Sequence, residues 1–311
     1  MKKVAFIFPG QGSQSNGMGK DFFENSAIAK EMIKNASERL GFSFEDLLFN
    51  ESENLGKTEF TQPAILLVSC IALAVFKEKY DVKPEFVLGH SLGEFSALVA
   101  SGAIDYLDAV DLVHKRGLFM NEACAGAGAG MMALVGLDDA TVESMTEAQR
   151  EAGKKIWPAN YNMDGQIVVA GLKADLESLV DTFKEAGAKR ALVLDMSVAS
   201  HCELLTSAVE KLNPFLNNFV TDTFTTSIIS NVTAQAYNTK AEAIELLGKQ
   251  LISPVKYKHS VASKASDVDV FIEFGNGAVL KGLNRKICKE VPTLNVSDVK
   301  SLEATLEALN D

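Results

Sequence analysis

Gly89-His90-Ser91-Leu92-Gly93 decides how this chain is read, because of what stands on either side of it. Before it, Lys83-Pro84-Glu85-Phe86-Val87-Leu88 is short and apolar after its proline, the pattern of a buried strand. After it, Glu94-Phe95-Ser96-Ala97-Leu98-Val99-Ala100-Ser101 has helical composition and is stopped by Gly102. A Gly-x-Ser-x-Gly turn between a strand and a helix is the setting of a nucleophile elbow. So sharp a turn leaves no room for a Cβ at the flanking positions, hence two glycines. It lifts the Ser91 hydroxyl out of the sheet edge. It also aims the first helix amides, led by Leu92 N–H, at one point where a negative oxygen could be held.

Upstream, Val4-Ala5-Phe6-Ile7-Phe8 is a continuous apolar run, typical of a strand covered on both faces. Pro9-Gly10-Gln11-Gly12-Ser13-Gln14 breaks it. This loop is no dinucleotide fingerprint, since Ser15 stands where a third glycine belongs. Gly19-Lys20 is followed by Asp21, so it is no P-loop either. Two uses stay open: a plain tight turn, or a backbone brought close to substrate with Gln11 N–H offered to it. Helices are expected at Phe22–Leu40, at Thr61–Tyr80 with Pro63 near its first position, and at Asp105–Ala123.

An Ala/Gly tract, 123–130, then marks a boundary. Beyond it come a strand Met131–Leu137, a helix Asp138–Ala152, strands Lys155–Tyr161 and Gln166–Ala170, a helix Asp175–Ala186 and a strand Arg190–Leu194. The order βαββαβ predicts a small inserted ferredoxin-like domain over 125–196. Strands and helices then alternate to the end: helix Glu203–Asn218, strand Thr225–Val232, helix Ala241–Ile252, strand Val268–Phe274 and helix Val279–Cys288. The fold class is therefore α/β, a hydrolase-like, mostly parallel sheet covered by helices, with residues 1–124 and 197–311 as the two parts of the large domain.

With 311 residues, 47% of them hydrophobic, the chain can bury a large core. A net charge of -11 argues against nucleic acid as the main partner. Cys70, Cys124, Cys202 and Cys288 are scattered, which supports neither a zinc site nor a disulfide framework. The N-terminus has no signal core, and the longest apolar stretch, Ala64–Phe76, is too short for a bilayer. A cytoplasmic protein working without membrane, metal or other cofactor is the simplest expectation, and a monomer the expected state.

A serine needs a base at neutral pH. Of the four histidines, His90 adjoins Ser91 and should point away, His114 lies mid-helix as a packed residue, and His259 follows a basic stretch at the surface. His201 sits in a loop before a helix and follows the serine in chain order, as a hydrolase base does. Asp195 is a weak third member, so a Ser91–His201 dyad with its imidazole held by a backbone carbonyl is favoured over a triad. Arg116 is either a solvated cation or a clamp for a substrate carboxylate. Cys202 reads as filler rather than as a thiol nucleophile.

Taken in order, Phe8-Pro9-Gly10-Gln11-Gly12-Ser13-Gln14, Gly89-His90-Ser91-Leu92-Gly93-Glu94, Arg116, Asn160-Tyr161-Asn162, Ser200-His201 and Gln250-Leu251 resemble the malonyl-CoA:acyl carrier protein transacylases of type II fatty acid synthesis. The resemblance covers essentially the whole chain. It implies that Ser91 takes the malonyl group from malonyl-CoA with His201 as base. It implies further that the oxyanion lies between the amides of Gln11 and Leu92, and that the acyl carrier protein thiol then removes the acyl group. It implies Arg116 as partner of the malonyl carboxylate, Asn160 and Asn162 facing the cleft, and a carbonyl near Gln250 orienting the histidine. The carrier is acidic, so a local basic patch is needed: Lys189 and Arg190, Lys256 and Lys258, or Lys281, Arg285, Lys286 and Lys289. Two positions depart from the family pattern: Asn276 stands where a proline is common, and Ser200 where malonyl-specific modular domains often have Phe. A serine hydrolase, an acyltransferase for secondary-metabolite carriers and a non-catalytic docking protein are the rival readings.

Overall fold

A computed structural model describes residues 2–310. Strands β1 (Val4–Phe8), β2 (Phe86–Gly89), β3 (Ala129–Val135), β4 (Ile156–Met163), β5 (Gln166–Leu172), β6 (Arg190–Val193), β7 (Ser227–Ile229), β8 (Ala236–Tyr237), β9 (Val270–Phe274) and β10 (Thr293–Val296) form two sheets. The larger has the order β10-β9-β1-β2-β7-β8 and is parallel except for β8, which returns antiparallel along β7. Side chains of β1 alternate between two cores, as the pleat requires. Val4, Phe6 and Phe8 pack with Phe76 and Phe274 on one face, while Ala5 and Ile7 pack with Phe86, Tyr257 and Phe271 on the other. Both faces are thus covered, which is why the strand is apolar throughout.

The smaller sheet is antiparallel, ordered β4-β5-β3-β6, with its own core of Met132, Leu134, Val142, Ile156 and Phe183. In chain order its elements run βαββαβ, the ferredoxin-like unit. It is stitched to the larger sheet's side through backbone bonds: Tyr161 N–H donates to Val255 O at 2.9 Å, and Val255 N–H to Ala159 O at 2.8 Å. Lys258 adds ion pairs to Asp139 and Asp164 at 2.8 and 2.9 Å, so this lysine is engaged inside the molecule rather than free for a docking patch.

Several elements differ from the sequence reading for local reasons. The segment read as one helix from Phe22 breaks at Ser26, whose hydroxyl caps the Ala27–Leu40 helix by accepting from Ala29 N–H. The helix read from Asp175 likewise breaks at Leu179. The helix through Ser69 runs from Thr58 to Lys79, so Pro63 lies inside it rather than at its start. Pro63 has no N–H for the Glu59 carbonyl one turn earlier. His114 Nδ1 supplies the missing donor at 2.7 Å. The Tyr106–Cys124 helix approaches so closely there that a Cβ on Gly117 would fall 2.6 Å from Glu59 Cα. By length and composition Thr58–Lys79 could cross a bilayer, but 83% of its most apolar window is buried in the core.

Candidate active site

Parallel pairing of Phe8 with Gly89 sets the loop after β1 beside the turn after β2. The turn is as tight as its glycines suggest. A Cβ on Gly89 would lie 1.9 Å from Gly93 C, and one on Gly93 would lie 2.0 Å from Phe8 O. Gly10 in the first loop passes the turn just as closely, a Cβ there meeting His90 O at 2.3 Å. The loop is therefore a close approach to the elbow, not only a turn. Ser91 itself has φ 52°, a left-handed conformation that costs a non-glycine residue on the order of 1 kcal/mol or more. Asn231, just past the end of β7, braces it: Oδ1 accepts from Ser91 N–H at 2.7 Å, and Nδ2 donates to Gly89 O at 2.6 Å.

His201 also has φ above zero, at 63°, and is buried. Its Nδ1 lies 2.7 Å from the Gln250 carbonyl, and its Nε2 lies 2.7 Å from Ser91 Oγ. A carbonyl only accepts, so Nδ1 carries the proton and the Nε2 lone pair faces the serine hydroxyl. Burial and the neighbouring Arg116 charge push the imidazole down to about 3, which keeps it neutral at physiological pH. Asp195 lines the cleft but makes no hydrogen bond to the imidazole. Cys202 is buried and its thiol is pushed up to about 12, the opposite of activation.

Arg116 is buried, not solvated. Nη1 donates to Gln62 Oε1 at 2.8 Å, and Nη2 reaches Gln250 Oε1 at 3.1 Å and Ser91 Oγ at 3.4 Å. Its Cζ lies 5.3 Å from the centre of the Phe95 ring, and Nε has no partner. Burial lowers it to about 10, against the pull of Glu94, so it remains a cation at neutral pH. Around Ser91, Arg116 and His201 lies a cavity of about 340 Å³, reached by Gln11, Leu92, Asn160 and Asn162. Neither the Gln11 nor the Leu92 N–H is bonded elsewhere among the described residues. The His90 ring does not turn away from the cleft: its Nε2 meets Asn162 Oδ1 at 2.8 Å, joining the elbow to the smaller sheet. A second cavity of about 710 Å³, sharing Gln11 and Asp195 with the first, opens outward past Lys57 and Lys173.

Four buried residues with polar groups here are given no role by the sequence: Gln62, Glu94, Asn231 and Tyr237. Glu94 carried a signal, as a charge in the first turn of an otherwise apolar helix. Asn231 was hidden in a β-branched run whose strand in fact ends at Ile229. At the Gly275 turn, Asn276 in the proline position donates to Ser13 O at 2.6 Å and Ser15 Oγ at 2.9 Å, tying that turn to the Gly10 loop.

An elbow serine, a buried imidazole within reach and two free amides on a mostly parallel α/β sheet are what acyl transfer through a serine requires, whether to water or to another acceptor. The acyl transferase domain family matches residues 5–304. The malonyl CoA-acyl carrier protein transacylase of Bacillus subtilis is 41% identical, covering 100% of this chain and 98% of that protein. The crystal structure of the malonyl-CoA:acyl carrier protein transacylase from Helicobacter pylori superposes with a TM-score of 0.96 at 44% identity, covering 100% and 99% of the two chains. A malonyl-transacylase solved in complex with a type II PKS acyl-carrier protein matches with a TM-score of 0.94 at 35% identity, covering 98% and 99%. The chain belongs to the malonyl CoA-acyl carrier protein transacylase family and is an acyltransferase.

Proposed function

We propose that this chain moves a malonyl group from malonyl-CoA to the phosphopantetheine thiol of acyl carrier protein, by a ping-pong route through an ester on Ser91. The observation that carries the reading is the 2.7 Å approach of Ser91 Oγ to His201 Nε2 beside the buried Arg116 cation. Ser91 Oγ attacks the thioester carbonyl as its proton passes to His201 Nε2. The Gln11 and Leu92 amides face the resulting oxyanion. The thioester C–S bond breaks, the CoA sulfur leaves with the proton from His201, and malonyl remains on Ser91. The carrier thiol then repeats the sequence in reverse, giving its proton to His201 as sulfur attacks and Ser91 Oγ takes it back.

Arg116 supplies selectivity in this scheme. His201 is held down first by burial and then by the Arg116 charge; a carboxylate paired with Arg116 offsets the second of these, so the correct acyl group strengthens the base it needs. Asn160 and Asn162 face the same cavity, and the Gln250 carbonyl fixes the imidazole tautomer. We read the smaller sheet, 125–196, as an inserted domain that closes one wall of the cleft on the larger parts 1–124 and 197–311. We take the working unit to be a monomer.

Intact-mass spectrometry tests the reading. Incubation with malonyl-CoA is expected to add one malonyl group, removable by holo acyl carrier protein, and Ser91→Ala is expected to add none. A folded wild-type protein that gains no adduct would overturn it.

A further inference from the structure

Behind the reacting pair lies a carboxylate that the scheme above does not use. Glu94 is fully buried in the first turn of the Gly93–Ala100 helix. Oε2 accepts from Gln250 Nε2 at 2.7 Å and from Asn231 N–H at 3.2 Å, and Oε1 accepts from Tyr237 OH at 3.1 Å. No ion pair reaches it among the described residues; the Arg116 charge acts on it across the Gln250 amide. An unpaired buried carboxylate costs stability, and a well-packed apolar group would cost less. What it holds accounts for its presence.

Gln250 and Asn231 are the two residues that fix the reacting groups. The Gln250 carbonyl binds His201 Nδ1, its Oε1 receives Arg116 Nη2, and its Nε2 also donates to Ser91 O at 3.0 Å. Asn231 Oδ1 holds Ser91 N–H. We infer that Glu94 is a positioning residue for acyl transfer: its carboxylate fixes the Gln250 side chain and the Asn231 backbone, and through them sets His201, Arg116 and the strained Ser91 elbow at once. Burial raises Glu94 to about 7, so the ionised form, which accepts on both oxygens and satisfies all three donors at once, is populated from neutral pH upward. An amide in its place either sets its NH2 against the Gln250 Nε2 and Asn231 N–H donors, or turns it to the Tyr237 oxygen, which must then aim its own proton elsewhere in the interior. In both cases the acceptor that holds Gln250 Nε2 is lost or weakened, and the Gln250 side chain is freed to leave Arg116.

The inference rests on the proposed roles of Ser91 and His201, so its test has a readout that needs no substrate. Glu94→Gln keeps volume and removes the double acceptor. The expected result is a fall of about 10- to 100-fold in the rate of Ser91 malonylation, the scale of loss for reacting groups displaced by a fraction of an ångström to an ångström. KM for malonyl-CoA should change less than threefold. The His201 Nδ1–H proton resonance should lose its downfield shift or its protection from exchange. Tyr237→Phe, which removes one donor but leaves the carboxylate in place, should lie between wild type and Glu94→Gln in both rate and resonance, and stands in if Glu94→Gln does not fold. A Glu94→Gln enzyme with the wild-type rate and an unmoved resonance overturns the inference, as does a Tyr237→Phe enzyme matching wild type in both where it stands in. Failure of the wild type to take malonyl would instead strike the proposed function, leaving the resonance to judge Glu94.

Discussion

Arg116 is a cation in the interior whose direct hydrogen-bond partners, Gln62, Gln250 and Ser91, are all neutral. Removing such a charge from water without a counter-ion is costly, and cation–π contact with Phe95 offsets only about 1–2 kcal/mol of it. On the proposed reading a substrate carboxylate would complete the pair, so selectivity should reside here. Arg116→Ala is expected to slow malonyl transfer on the order of 100-fold or more while acetyl transfer changes less than tenfold. Competing malonyl-CoA and acetyl-CoA on the same preparation cancels any loss of folded protein; an unchanged ratio would remove Arg116 from the selectivity argument. Sequence alone left this residue undecided between a solvated cation and a clamp, because spacing says which helix it is on but not how deep it lies. Ser91 was more legible. Its turn is written in adjacent residues, whereas the distance to His201 spans 110 positions and is settled only by folding.

At the scale of elements, the junction of the Thr58–Lys79 and Tyr106–Cys124 helices shows where local rules stop. Pro63 suggested a helix start, and His114 a packed residue. Neither sequence neighbourhood discloses that one repairs the carbonyl the other strands. Gly117 marks the crossing. Gly117→Ala would press a Cβ against the Glu59 backbone at 2.6 Å and is expected to destabilise the chain by about 1–3 kcal/mol in urea unfolding. Gly282, on the exposed side of the Val279–Ile287 helix, has open space at its Cβ, so Gly282→Ala should stabilise by up to about 1 kcal/mol. Two alanines of the same kind should therefore move stability in opposite directions. Equal effects would mean that helix propensity, not the crossing, dominates.

At the scale of the whole molecule, alternation of strands and helices disclosed the class and the βαββαβ order of the smaller sheet's elements, because each pattern is local in sequence. The strand order was not legible. It depends on which buried face meets which, and β7 and β8 are too short to show a period. The same assembly buries two titrating groups whose effects on stability oppose each other. His201 falls from 6.5 to about 3 on folding, so between those values the unfolded chain binds a proton that the folded chain refuses, and stability falls as pH drops. Glu94 rises from 4.5 to about 7, chiefly through burial, so across that window the folded chain holds a proton that the unfolded chain releases. Its contribution falls as pH climbs. Each slope approaches about 1.4 kcal/mol per pH unit, and they nearly cancel where the windows overlap, from about pH 4.5 to 6.5. Below pH 4.5 the Glu94 offset is gone, His201 and the buried His90 both refuse a proton that the unfolded chain accepts, and acid should weaken the fold steeply. Urea titrations of wild type and His201→Asn from pH 4 to 8 separate the two groups. The gap between them should be constant above pH 6.5 and shift steadily in favour of the variant below it, because the asparagine has no proton to refuse. A gap that stays constant down to pH 4 would mean the imidazole accepts its proton as readily folded as unfolded, and the neutral base facing Ser91 would lose its physical cause.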